Sequence, residues 1–170
     1  MAIFRLFGIG SATVLACGLL AFAQTAVEET GTAQEDTPQE NAGYDAQLAE
    51  RLGADEYGMK SYVFVTLLTG ETQVDDPAES RKLFAGHFAN MDRLAKAGQL
   101  VLAGPLSDCP PKRGIFILNV ATLEEAEKLV KSDPAVAAGV FDYELNKLYS
   151  SAALMEIGRI HKSIQKTSIQ

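Results

Sequence analysis

The chain is short of the residues from which metal centres and disulfide frameworks are built. Its 170 residues hold two cysteines, Cys17 and Cys109, and two histidines, His87 and His161. Two distant histidines and a cysteine give no ligand spacing, so no metal is expected. No G-x-S-x-G elbow and no phosphate-cradling loop occurs, and no cofactor is expected. Positive charge is scarce too: 15 Lys and Arg stand against 22 Asp and Glu, a net charge of −7. No basic run is interleaved with aromatics, which argues against nucleic acid and against an anionic membrane surface as partners. No internal repeat is visible. What remains is 47% hydrophobic content in a chain long enough for one domain plus appendages.

The appendages come first. Residues 1–23 read as a signal peptide, with Arg5 ahead of an apolar run from Leu6 to Phe22 and Ala21-Phe22-Ala23 as the cleavage signal. The run is too short and too weakly flanked for a membrane span. Gly8 and Gly10 lie inside it and are no nucleotide fingerprint. Val14-Leu15-Ala16-Cys17 is a loose lipoprotein-type site, and lipidation at Cys17 is the alternative that would anchor the protein to a membrane. Cleavage after Ala23 implies a periplasmic or secreted protein in which Cys109 is the remaining cysteine, so that no intrachain disulfide can form. Residues 24–43 carry Glu28, Glu29, Glu35, Asp36 and Glu40 with no basic and no aromatic residue. Such a stretch buries too little apolar surface to offset its ordering entropy and reads as an acidic disordered linker.

Periodicity then divides the rest. Residues 44–58 hold a short helix, with Tyr44, Leu48 and Leu52 on one face, and a connection. Ser61 to Leu68 is a strand apolar on both alternations, and Gly114 to Val120 is another. Between them Asp76-Pro77-Ala78-Glu79 opens a long helix ending near Ala97, and a strand from Gln99 ends at Ala103-Gly104-Pro105. On the long helix Phe84, Phe88, Met91 and Ala95 form one stripe, Leu83, His87, Asn90 and Leu94 the next, so His87 is placed at the edge of the buried face. Thr122 caps a second helix reaching Lys131. Asp133 and Pro134 then open a turn that Gly139 closes, and a strand follows from Val140 to Tyr149. Residues 151–170 read as a C-terminal helical extension carrying Leu154, Ile157 and Ile164.

The order over residues 59–150 is βαββαβ, the ferredoxin-like pattern of an α+β domain with a four-stranded antiparallel sheet. In it the first and third strands are central, and here those are the two most apolar. Two helices cover one sheet face; the other exposes more apolar area than a monomer tolerates, so a homodimer is expected, with the C-terminal helix as the alternative cover.

Two residues draw attention as chemistry. His87 alone reads more often as a packed core residue than as a catalyst, and Asp133 alone more often as just an N-cap. Together they make a base with its orienting carboxylate, the pattern that fixes an imidazole tautomer. The Ala103-Gly104-Pro105 corner is either a plain turn or a pocket wall where glycine permits close approach. Cys109, among polar and proline residues, has no activating surroundings for a nucleophile. His161 reads as packing or surface.

The helix segment GHFANMDRL, the strand ending AGP and the stretch DPAVAAGVF together resemble the YCII-related family, over about Met59 to Tyr149. The resemblance implies a ferredoxin-like protomer in a dimeric α+β barrel, with a pocket where His87 meets Asp133. It also implies acid–base chemistry on a small molecule; some relatives are linked to the turnover of small aromatic rings. The leader and the C-terminal helix depart from the usual small cytoplasmic member. An exported enzyme of lyase, isomerase or hydrolase type, with His87 and Asp133 as its catalytic pair and an unknown small-molecule ligand, is the first expectation. A non-catalytic periplasmic binding or assembly module is the second, and a cofactor-free monooxygenase-like barrel the third.

Overall fold

Side-chain caps decide where the first four helices begin. In the computed structural model, which describes residues 41–167, α1 (Ala46–Leu52) starts as Asp45 accepts the N–H of Leu48. The α2 helix (Pro77–Lys96) starts at Asp76, α3 (Leu123–Lys131) at Thr122 and α4 (Pro134–Ala137) at Asp133, each side chain accepting a first-turn N–H. Such caps satisfy donors that no helical carbonyl can reach. The leader and almost all of the acidic linker lie outside the described residues.

The strands are β1 (Met59–Thr69), β2 (Leu100–Pro105), β3 (Lys112–Leu118) and β4 (Phe141–Ser151). They form one antiparallel sheet in the order β2-β3-β1-β4, with the two most apolar strands at its centre. The domain is therefore α+β with the ferredoxin-like βαββαβ order. Register fixes which side chains share a face: Val65 lies between Phe116 and Leu145, and Val63 between Leu118 and Lys147. Val63, Val65, Leu67, Phe116 and Leu118 thus face α2 and α3 and pack with Leu94, Ala126 and Val130 in the main core.

The opposite face is only partly bare. Tyr62 is 1% exposed there, and its hydroxyl donates to the Ser151 carbonyl at 3.1 Å. A 3₁₀ turn over Ala152–Glu156 and helix α5 (Ile157–Ile164) fold back beside β1 and β2. The C-terminal segment differs here from the continuous helix expected from Ser151. Ser150 and Ser151 still pair with Lys60 and Met59, so the chain leaves the sheet two residues late and must turn tightly. Phe64, Ile115 and Leu102 on that face stay half-buried.

One expectation about α2 is corrected. Its buried side chains are His87, Asn90 and Leu94, whereas Phe88 is exposed and Phe84 and Met91 are half-buried. His87 sits on the centre line of the buried face rather than its edge. A polar residue tolerates that position because it finds a partner there.

Candidate functional site

The partner is Asp133. Its backbone is extended, φ −78° and ψ 124°, as an N-cap requires, and its Oδ1 accepts the Ala135 N–H at 2.9 Å. Proline at the first helical position forfeits only an N–H that has no helical acceptor. Gly139, at φ +73°, lets the chain reverse after one turn, a left-handed geometry that glycine adopts without steric cost. The turn returns at once to β4, and Val140 donates to the Ala135 carbonyl at 2.9 Å. So braced, Asp133 directs Oδ2 at Nδ1 of His87, 2.6 Å away. Asp133 is 1% exposed and His87 7%.

Gly86 makes this approach feasible. A Cβ there would lie 3.0 Å from Cγ of Pro134, tighter than nearly all real contacts. The residue before the histidine is therefore the point at which α4 leans on α2. One turn further along α2 a second polar clasp ties it to the end of α3. The Arg93 guanidinium donates to Asn90 Oδ1 at 2.6 Å and to the Ser132 hydroxyl at 3.0 Å, and that hydroxyl donates to the Leu129 carbonyl at 2.7 Å. Two clasps thus flank the junction of α3 and α4.

Four phenylalanines surround the imidazole. Phe116 stacks on it at 6.1 Å and 27°, while Phe141, Phe88 and Phe84 meet it edge-on at 5.4, 5.5 and 6.4 Å. With Asp133 ionised both its oxygens accept, so Nδ1 donates, and in the neutral imidazole the lone pair then rests on Nε2. Among the described residues no buried side-chain nitrogen or oxygen lacks a partner, and Nε2 makes no hydrogen bond. That nitrogen is consequently not fully sealed from solvent. Chemically, the arrangement can take up or release a proton at Nε2 while Asp133 holds the ring.

The other candidates fall elsewhere. Ala103 packs on the main core and pairs with Phe116, whose ring stacks on His87, so it touches the site only indirectly. Gly104 pairs with Ile115 on the opposite sheet face. Pro105 lines an open cleft of about 450 Å³ together with Cys109 and Arg113. A smaller cleft of about 250 Å³ lies beside the histidine cage and shares Phe84 and Phe141 with it. His87 lines neither cleft. His161 is exposed on α5. The sequence reading missed Gly86, the aromatic cage and the clasp that Arg93 makes with Asn90 and Ser132; an isolated glycine inside a helical pattern was the one available signal.

Comparison with known proteins gives matches of three kinds. The model of the YCII-related domain matches residues 62–148. The uncharacterized protein YjpA of Bacillus subtilis is 31% identical over 81 residues, 48% of this chain and 85% of its own length. Among solved structures, the 5-chloro-2-hydroxyhydroquinone dehydrochlorinase of Burkholderia phenoliruptrix, in complex with 2,5-dihydroxybenzoquinone, is 16% identical with a TM-score of 0.37. That alignment covers 51% of this chain and 90% of the other. With a matching family model across half its length, and a relative of that identity covered almost end to end, the chain belongs to the YCII-related domain family.

Proposed function

We propose that this YCII-domain protein is an acid–base enzyme acting on a small molecule, of lyase, isomerase or hydrolase type. His87 exchanges the proton through Nε2, and Asp133 holds its tautomer and steadies the imidazolium that forms. The observation that carries this reading is the 2.6 Å contact between two polar groups sunk in an aromatic layer. A buried polar pair is a weak source of stability compared with apolar packing of the same volume, so its presence there favours a chemical role. A second reading, in which the pair is a structural clasp inside a binding module, has one observation in its favour: neither cleft includes His87.

The proposal includes export, with the leader removed after Ala23, and a homodimer joined through the sheet face that carries Phe64 and Ile115. Mass spectrometry of the secreted protein and light scattering at micromolar concentration test these two parts. A lipidated Cys17 would overturn the first, and a monomer mass the second. For the activity itself, a screen of hydrolase, lyase and isomerase substrates is run beside melting curves. Substituting His87→Gln should lower turnover by about 10²- to 10⁴-fold. Full turnover in a folded His87→Gln protein would remove the acid–base reading.

A further inference from the structure

We infer that the smaller cleft, beside the histidine cage, binds a small organic anion with an apolar body, and that Arg113 supplies the counter-charge. The cleft lies between the loop after β1, the first turns of α2 and the start of β4, with a volume of about 250 Å³. Leu83, Phe84, Val140 and Phe141 give it apolar walls, and Thr72 and Ser80 add hydroxyls. Arg113 is the one ionisable side chain in the lining; no carboxylate shares it. In a chain of net charge −7, an apolar cleft whose sole charge is positive runs against the background. The Arg113 guanidinium makes no ion pair with any described residue. A planar cation beside apolar walls suits a carboxylate-type head on a hydrophobic body.

The rim is already tied in place. Gly70 donates to the Val140 carbonyl at 2.9 Å, Thr72 to that of Gly139 at 3.0 Å, and Thr69 to that of Pro111 at 2.8 Å. A preformed rim spares the ligand the entropy of ordering a loop. Phe84 and Phe141 line the cleft and also meet the His87 ring edge-on, so a ligand seated on Arg113 lies one aromatic ring from the imidazole. Identifying this ligand with the substrate rests on the acid–base reading; the anion site itself does not.

The test is calorimetry and amide-shift mapping on the purified protein with benzoate and its neutral isostere benzamide. Benzoate should bind saturably, shifting the amides of Thr72, Ser80 and Val140, and should bind about tenfold more tightly than benzamide, one charge-assisted contact in a partly exposed site. Arg113→Gln should bring benzoate down to the benzamide level and leave benzamide unchanged, while Arg113→Lys retains part of the preference. His87→Gln should leave benzoate affinity intact even where it abolishes turnover, so the two readings fail separately. Equal binding of the two probes, benzoate affinity undiminished in Arg113→Gln, or no shift at the cleft amides would each overturn the inference.

Discussion

Two helices of this domain open with the same dipeptide and put it to different use. Asp76-Pro77 starts α2 and Asp133-Pro134 starts α4. Both aspartates are extended, at φ −71°, ψ 117° and φ −78°, ψ 124°. Each spends one oxygen on the N–H two residues ahead, at 3.0 and 2.9 Å. The second oxygen separates them. On Asp76 it is exposed and has no partner among the described residues, whereas on Asp133 it meets His87, with Asp133 1% exposed. The motif therefore fixes where a carboxylate stands, and packing of α4 over Gly86 decides what it touches.

The widest separation between the two caps should appear on truncation. Asp133→Ala removes a cap and strands a buried imidazole, a loss of about 2–4 kcal/mol. Asp76→Ala removes an exposed cap alone and should cost about 1 kcal/mol or less. Urea denaturation of both variants reads the difference, and equal losses would dissolve the distinction.

Asparagine sharpens the comparison by sparing the caps. In Asp133→Asn the amide oxygen can stay on Ala135, but the NH₂ then faces Nδ1, and the imidazole must accept there and carry its proton on Nε2. Stability should fall by less than about 1 kcal/mol, since Asn caps nearly as well as Asp. Any turnover should fall by about 10²-fold or more, because the open nitrogen no longer holds the lone pair. Asp76→Asn should alter neither quantity.

Gly86→Ala tests the close approach. The gain of about 0.5–1 kcal/mol in helix propensity is set against a Cβ placed 3.0 Å from Pro134 Cγ. The net stability change should be small, within about 1 kcal/mol. The His87–Asp133 contact should lengthen as α4 shifts, weakening the downfield Nδ1 proton signal by NMR. An unchanged signal would show that Pro134 yields without moving Asp133.

The smallest effect belongs to a surface counterpart of the buried pair. Asp55 accepts the N–H groups of Tyr57 and Met59 with one oxygen and the Tyr149 hydroxyl with the other. That hydroxyl bond, first among its causes, pushes the Tyr149 phenol up to about 12. The same bond, with the Met59 N–H behind it, holds Asp55 below its ordinary value of 3.8. A phenol raised in the folded state contributes stability that is complete below about 10 and lost as pH rises through about 12. The depressed carboxylate contributes above its ordinary value and loses that as pH falls through its lower folded one. Urea midpoints across pH should decline at both extremes, and Tyr149→Phe should flatten both declines slightly, the groups being solvent-screened. A Tyr149→Phe profile superimposable on the wild type would leave the bond without thermodynamic weight.

These contrasts also mark how far the sequence could be read. Strand order followed from the βαββαβ succession of elements, and the double-faced apolarity of Tyr62 to Leu68 and Ile115 to Val120 agreed with it, because only central strands are covered on both sides. The caps at Asp76, Thr122 and Asp133 were legible because they depend on neighbours within three residues. The pairing of His87 with Asp133 was visible as a hypothesis, since residue types suggest roles but not distances. His87 was placed off the centre of its helix face because hydropathy ranks Phe88 above histidine, while in the fold Phe88 is 40% exposed and the paired imidazole is buried. The cage of four phenylalanines, drawn from α2, β3 and β4, has no local signature. Neither has the cleft at Arg113, which depends on four segments meeting.

The most direct test of the central claim uses the small number of histidines. Nitrogen NMR of the imidazole side chains needs only His87 and His161 assigned, and the exposed His161 serves as the internal reference. The account predicts that neutral His87 carries its proton on Nδ1, hydrogen-bonded to Asp133, with Nε2 unprotonated and accessible to exchange with added acid. A native His87 with its proton on Nε2 would contradict it.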